Sequence, residues 1–252
     1  MAPVFALDKQ RRAWSTPPIG GANTPSYVLG SKNDQQVRDF ILAAYPAQYS
    51  QPSNWNGLYR QFLRLDDTTG ARVIDYGSGF GFDALSYALK GNSVALADIS
   101  MPNLRAAARV LLAMEVLPRE LIPIADAWPH FSAGPFDIFH SSGVLHHTPL
   151  MREVLQRASS LIDHNGEIRL MLYTDHLWRQ ATGTEPPPIE DPVWLHDKFT
   201  AFVRFCDAVG DYADWYTADK LAYMTEDFLT LHEWHYIRED HGYAVAILKR
   251  KA

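Results

Sequence analysis

Val73-Ile74-Asp75-Tyr76-Gly77-Ser78-Gly79-Phe80-Gly81-Phe82-Asp83-Ala84-Leu85 governs how the rest of this 252-residue chain is read. A β-type apolar stretch ends in a carboxylate, three glycines follow on alternate positions, and an apolar helical pattern starts at once. Such a segment reads as a strand, a tight loop and a helix shaped to hold a ligand. A dinucleotide fingerprint would be G-x-G-x-x-G, with the helix N-terminus facing a pyrophosphate. Here Gly81 comes one place early, and Phe82 stands at the position of the third glycine in that fingerprint. The carboxylate argues the same way, because Asp75 at the strand end repels a pyrophosphate and attracts a cation.

With its D-x-G-x-G-x-G loop the segment resembles the first motif of class I S-adenosylmethionine-dependent methyltransferases. Their cofactor carries an ammonium and a sulfonium and no phosphate. The resemblance implies that Gly77, Ser78, Gly79 and Gly81 let the backbone approach S-adenosylmethionine, while Asp75 supports its amino group through the loop. The competing reading, a glycine turn in an unrelated α/β protein, loses ground to the motifs downstream.

The strand Ser93–Asp98 ends in an acid about 20 residues beyond the glycine loop, the separation at which a carboxylate accepts hydrogen bonds from ribose hydroxyls. Asp98, with Ile99 beside it, is the expected ribose site; capping of a helix that starts near Pro102 is the alternative. After a helix from Asn103 to Met114, a third strand from Glu120 to Ala125 leads into Asp126 and Ala127. The resemblance implies contacts of these two with the adenine, and a turn carboxylate is the other reading of Asp126.

A fourth strand, Phe136–Ser142, opens into Gly143-Val144-Leu145-His146-His147-Thr148-Pro149. The segment resembles the family's fourth motif, which ends beside the reactive methyl and adds Ser142 to the cofactor contacts. Histidine, with an unperturbed pKa of about 6.5, suits a base that takes a proton as methyl transfer proceeds. Successive side chains of a strand point to opposite faces, but in a loop two adjacent histidines can share one pocket. His146 is favoured as the base and His147 as a packed partner, with the exchange of roles open. Structural histidines in an enzyme working by proximity alone are the remaining alternative. No metal site is expected, since there is no H-E-x-x-H and no cysteine cluster.

Bulk properties set the class of acceptor. The formal charge of −6, from 23 basic and 29 acidic residues, leaves no basic tract beyond Arg11-Arg12 and Lys249-Arg250-Lys251, so a nucleic-acid partner is not expected. The fourth motif also lacks an N-P-P-Y type sequence, and a small-molecule acceptor is the better reading. Methylation of RNA or protein, and a non-catalytic S-adenosylmethionine-binding module, are the alternatives. No apolar run reaches the ~20 residues of a membrane span, and Met1 to Arg12 lacks a signal-peptide pattern. One cysteine, Cys206, leaves no internal disulfide and fits a reducing, cytoplasmic setting. Nothing in the residues specifies an oligomeric state.

The chain reads as one α/β domain in four parts. Residues 1–66 form an N-terminal extension with helices over Asp34 to Ala44, broken by Pro46, and Trp55 to Leu65. Such extensions in similar enzymes cover the cofactor, which makes Trp14, Tyr27 and Trp55 candidates to cover the site or simply to pack. Residues 70–174 carry the motifs, ending in a fifth strand, Glu167–Tyr173. Residues 175–227 form an aromatic-rich insertion that is expected to roof the crevice at the carboxyl ends of the strands. Tyr173, Trp194, Trp215 and Tyr216 are candidate substrate contacts there, a satellite core being the equal alternative. Residues 228–252 read as two strands, and His232 and His235 receive no chemistry. The resemblance implies a Rossmann-like sheet of seven mostly parallel strands, in the order 3-2-1-4-5-7-6, with helices on both faces.

Overall fold

The computed structural model describes Trp14 and residues 26–49, 55–124, 134–206, 211–237 and 242–251. Seven strands form one sheet: β1 Arg72–Tyr76, β2 Ser93–Asp98, β3 Glu120–Pro123, β4 Phe136–Ser142, β5 Ile162–Tyr173, β6 Leu229–Tyr236 and β7 Tyr243–Arg250. Their order is β3-β2-β1-β4-β5-β7-β6, as the family resemblance implies. The first five strands pair in parallel, and β7 enters antiparallel between β5 and β6.

Alternation along the strands divides the core into two layers. Val73, Val94 and Leu96 face one layer with helices α1 Asp34–Tyr49, α2 Trp55–Phe62, α3 Phe82–Leu89 and α4 Met101–Ala113. Ile74, Ala95, Ala97, Leu170 and Leu172 face the other, against α5 Met151–Leu161 and Leu221 of α8 Ala218–Thr225. Strands covered on both faces explain the nearly unbroken apolar runs in the sequence. The insertion supplies α6 Asp175–Thr182 and α7 Phe199–Phe205, which pack round Trp178, Phe202, Tyr212 and Trp215 as a third, smaller core.

Pro46 does not break the first helix. α1 runs through it to Tyr49. Proline removes the hydrogen bond to the carbonyl four residues back, that of Leu42, and Leu42 is 60% exposed, so water can satisfy that carbonyl. Two strand boundaries also differ from the sequence reading: β5 starts at Ile162, earlier than Glu167, and a register shift in β6 between Leu231 and Glu233 interrupts its alternation. Within the described residues no helix is long and apolar enough to cross a membrane, and no cluster of ligating side chains could hold a metal.

Candidate active site

The carboxyl ends of β1, β2 and β4 meet at the glycine loop. Gly77 and Ser78 donate their backbone N–H groups to the carbonyl of Ala97 at 2.7 and 3.0 Å, which ties the loop to β2. Gly77 has φ +82° and Gly81 +75°, conformations that side chains other than glycine rarely take. A Cβ on Gly81 would also lie 2.9 Å from Cβ of Ala107, where α3 crosses α4. Glycine here serves close packing of helices as well as the turn.

Asp98 closes the loop from the β2 side. Its carboxylate accepts from Gly79 N–H at 2.9 Å and from Ser100 N–H at 2.7 Å, and Asn103 Nδ2 lies at 3.4 Å. The cap of α4 is Ser100, whose hydroxyl accepts from Asn103 N–H. Burial raises the pKa of the Asp98 carboxyl to about 6, against the pull of these donors.

Beneath the loop lies a row of buried polar side chains. Asp75, His140 and Arg169 pair in register across β1, β4 and β5 on the face that carries α2 and α3. Burial lifts Asp75 to about 7; His140 opposes the rise, while Asp83 and Asp98 add to it. Asp83, one residue into α3, accepts from Nε2 of His140 at 2.9 Å and from the hydroxyl of Tyr59, whose oxygen lies 2.7 Å from Ser142 Oγ. Burial and the Asp83 carboxylate raise the Tyr59 phenol well above its usual pKa. Tyr59, Asp83 and His140 escaped the sequence reading. The available signal was polarity at core positions: an acid opening an apolar helix, and a histidine and an arginine inside buried strands.

The histidine loop, a single 3-10 turn over Leu145–His147, sits at the end of β4. His146 is fully buried, its ring stacked on the phenol of Tyr173 at 3.6 Å between centroids. Its Nδ1 accepts from Tyr173 N–H at 3.2 Å, so the ring proton belongs on Nε2, which has no hydrogen-bond partner among the described residues. Desolvation, then the neighbouring His147, hold its pKa well below the usual value. His147 has Nδ1 3.2 Å from the carbonyl oxygen of Tyr212 and Nε2 3.3 Å from Tyr173 Oη.

Trp14 lies with its ring 5.0 Å from that of His147, and its carbonyl accepts from Asn103 Nδ2 at 3.1 Å. One residue of the N-terminal part therefore touches both the Asp98 side and the histidine side of the crevice. Tyr173 and Trp215 belong to the small core of the insertion, with Trp194 packed against its edge, and Tyr216 is buried in the main core. The segment through Asp214 braces the loop from behind: Asp214 N–H donates to the His146 carbonyl at 2.8 Å and Tyr216 N–H to that of Tyr173 at 2.9 Å. Asp126 and Ala127, and the side chains of Tyr27 and Trp55, lie outside the described residues.

Comparison with known proteins agrees with this geometry. A family model described as a methyltransferase domain matches residues 51–244. No curated protein sequence matches the chain. Among solved structures, the CcbJ methyltransferase from Streptomyces caelestis superposes with a TM-score of 0.56 at 13% identity, over 80% of this chain and 97% of that one. Magnesium protoporphyrin IX methyltransferase from Synechocystis with bound SAH gives 0.53 at 16% identity, over 97% and 94%. The Burkholderia thailandensis 1,6-didemethyltoxoflavin-N1-methyltransferase, with its acceptor and S-adenosylhomocysteine bound, gives 0.54 at 16% identity, over 86% and 89%. At these identities the superpositions speak to the fold.

Proposed function

The chain belongs to the methyltransferase-domain family and is an S-adenosylmethionine-dependent methyltransferase, and on that premise we propose that its acceptor is a small organic molecule methylated on oxygen or nitrogen. The site fits the cofactor. A Cβ on Gly77 would fall 2.7 Å from Cγ1 of Val144, so the backbone there is kept bare. Ser78 Oγ is buried with no partner among the described residues, and Asp75, costly to ionise where it stands, favours a positive ligand. Gly77, Ser78 and Gly79 would cradle the amino-acid part, Asp75 and Ser142 would support its ammonium, and Asp98 and Ile99 would hold the ribose. Asp126 and Ala127 keep the adenine role that the family resemblance implies.

When bound, S-adenosylmethionine supplies a methyl group made electrophilic by the sulfonium. This chain's residues would orient the acceptor, exclude water and take its proton. The observation that carries the reading is the meeting of two adjacent buried histidines and Trp14 at the end of β4, next to the glycine loop. Between the histidines the hydrogen bonds favour His147 as the base, reversing the preference drawn from sequence. In His146 the proton sits on the nitrogen that lacks a partner among the described residues, and burial lowers the ring's basicity, whereas Nδ1 of His147 faces the Tyr212 carbonyl, which makes Nε2, against the Tyr173 hydroxyl, its basic nitrogen. Trp14 would cover the acceptor, with Trp194 and Tyr173 on the side of the insertion. The acidic balance supports an acceptor other than nucleic acid, and a cytoplasmic setting goes with that reading.

Calorimetric titration with S-adenosylmethionine and S-adenosylhomocysteine, with Asp98→Ala as control, tests the cofactor site. Micromolar binding that the variant loses is expected. Incubation with a library of small hydroxyl and amine compounds, read by mass for gain of a methylene, tests the acceptor class. Transfer to RNA or protein alone would refute it.

A further inference from the structure

We infer that Tyr173 is a further catalytic residue: its phenol oxygen takes the acceptor's proton and passes its own to Nε2 of His147. The inference rests on the proposed transfer to a small acceptor beside the histidine loop. It starts from donors and acceptors. The carbonyl oxygen of Tyr212, 3.2 Å from His147 Nδ1, can only accept, so Nδ1 carries the ring proton and Nε2 is a lone pair. Tyr173 Oη, 3.3 Å from that nitrogen, is therefore the donor of the contact. The phenol stands on the one basic position of the ring, so an acceptor's proton reaches it through the phenol oxygen.

Three constraints hold the pair in this state. The phenol ring of Tyr173 is stacked on His146, with 23° between the planes, and its backbone N–H is tied to His146 Nδ1. The backbone of Asp214 and Tyr216 clamps the His146 and Tyr173 carbonyls, which fixes the segment carrying the Tyr212 carbonyl relative to both rings. Both Tyr173 and His147 are at least nine-tenths buried, which strengthens the bond between them and keeps water from taking the proton. Nε2–H of His146, without a partner among the described residues, is a buried donor that an oxygen of the acceptor would satisfy.

The step balances. As the acceptor's oxygen or nitrogen bonds to the methyl carbon, the carbon–sulfur bond breaks with its electron pair going to sulfur. The acceptor's proton goes to Tyr173 Oη, the phenol's proton goes to His147 Nε2, and the resulting imidazolium later returns one proton to water. S-adenosylhomocysteine and the methylated acceptor leave.

Long-range proton–nitrogen NMR on histidine-labelled protein saturated with S-adenosylhomocysteine reads the tautomers directly, with His146→Gln and His147→Gln used to assign these two rings among the ten histidines. The proton of His147 is expected on Nδ1, and in Tyr173→Phe the Nε2 resonance is expected to move toward that of an unbonded lone pair. Affinity for S-adenosylhomocysteine and melting temperature stay near wild type, since the stacked ring is kept. A proton on Nε2 of His147, or an Nε2 resonance that ignores the variant, overturns the inference. Turnover at about pH 8 of phenol, still protonated there, and of para-nitrophenol, largely ionised there, adds a kinetic reading. Tyr173→Phe should lose about a hundredfold on phenol and little on the nitrophenolate. Equal losses on both, or none, also overturn it; where wild type turns over neither probe, the tautomers decide. Absence of S-adenosylhomocysteine binding to the wild-type protein would instead strike the proposed function and leave the pair standing.

Discussion

Replacing Asp75 by Asn separates the cost of this carboxylate in the free protein from its benefit in the cofactor complex. Its pKa is raised by burial from 3.8 to about 7. Between those values the folded protein binds a proton that the unfolded chain has already released, so stability is lost as pH rises from about 4 through about 7. At 1.36 kcal/mol per pKa unit, the rise from about pH 5 to about pH 8 costs roughly 2–3 kcal/mol from this one group. For a chain of this length that is a fall in melting temperature of about 5–10 °C. Asn keeps the shape and a carbonyl acceptor for Ala84 N–H, and it carries no charge. Scanning calorimetry without cofactor should therefore find Asp75→Asn more stable than wild type at about pH 8 and much flatter across the range. With S-adenosylmethionine in excess the gap should narrow by about 1.4–2.7 kcal/mol, because a cation that faced a carboxylate now faces an amide, at a loss of about ten- to a hundredfold in affinity. A variant less stable than wild type at the alkaline end without cofactor would refute the argument, since it would mean that ionised Asp75 is already satisfied by its neighbours.

Gly77→Ala would force a side chain into a backbone at φ +82° and against Val144; we expect a loss of about 2–4 kcal/mol in chemical denaturation and no measurable binding of S-adenosylhomocysteine. Lys220→Met would leave Asp214 buried without the ammonium now 2.7 Å away. About 3–5 kcal/mol of destabilisation is expected, most of it recovered in the double variant with Asp214→Asn, and additive effects in thermal melts would count against the pair. Tyr59→Phe would remove the hydroxyl that joins Asp83 to Ser142. Weaker S-adenosylmethionine binding by about 1–2 kcal/mol is expected by calorimetry, and an unchanged affinity would detach α2 from the cofactor site.

The place of the site was legible in the chain because it follows from local patterns, and the strand order was implied by the family that those patterns resemble. Val73–Asp75 alternates into a glycine loop, and Asp98 recurs at the end of the next strand. Parallel strands linked by helices leave few topologies, and a loop with three glycines so spaced marks where a backbone must come close to a ligand. The continuation of α1 through Pro46 was not legible, because it depends on solvent reaching the Leu42 carbonyl. Nor was the row Asp75, His140 and Arg169, since register between strands is set by packing across the whole sheet. The aromatic residues of the insertion show the same limit: Trp194, Trp215 and Tyr216 have one composition and three surroundings, at the edge of one core, inside it, and inside another.

The sequence alone determined the sheet, the glycine loop and the adjacency of two histidines, all of which are set by residue type and spacing along a few turns of chain. Only the tertiary structure decided what each histidine can do. A ring's tautomer is chosen by what lies across from its two nitrogens, and here those partners are the Tyr173 amide, the Tyr173 phenol and the Tyr212 carbonyl. They stand 27, 26 and 65 residues away and are brought together by the packing of β4, β5 and the insertion.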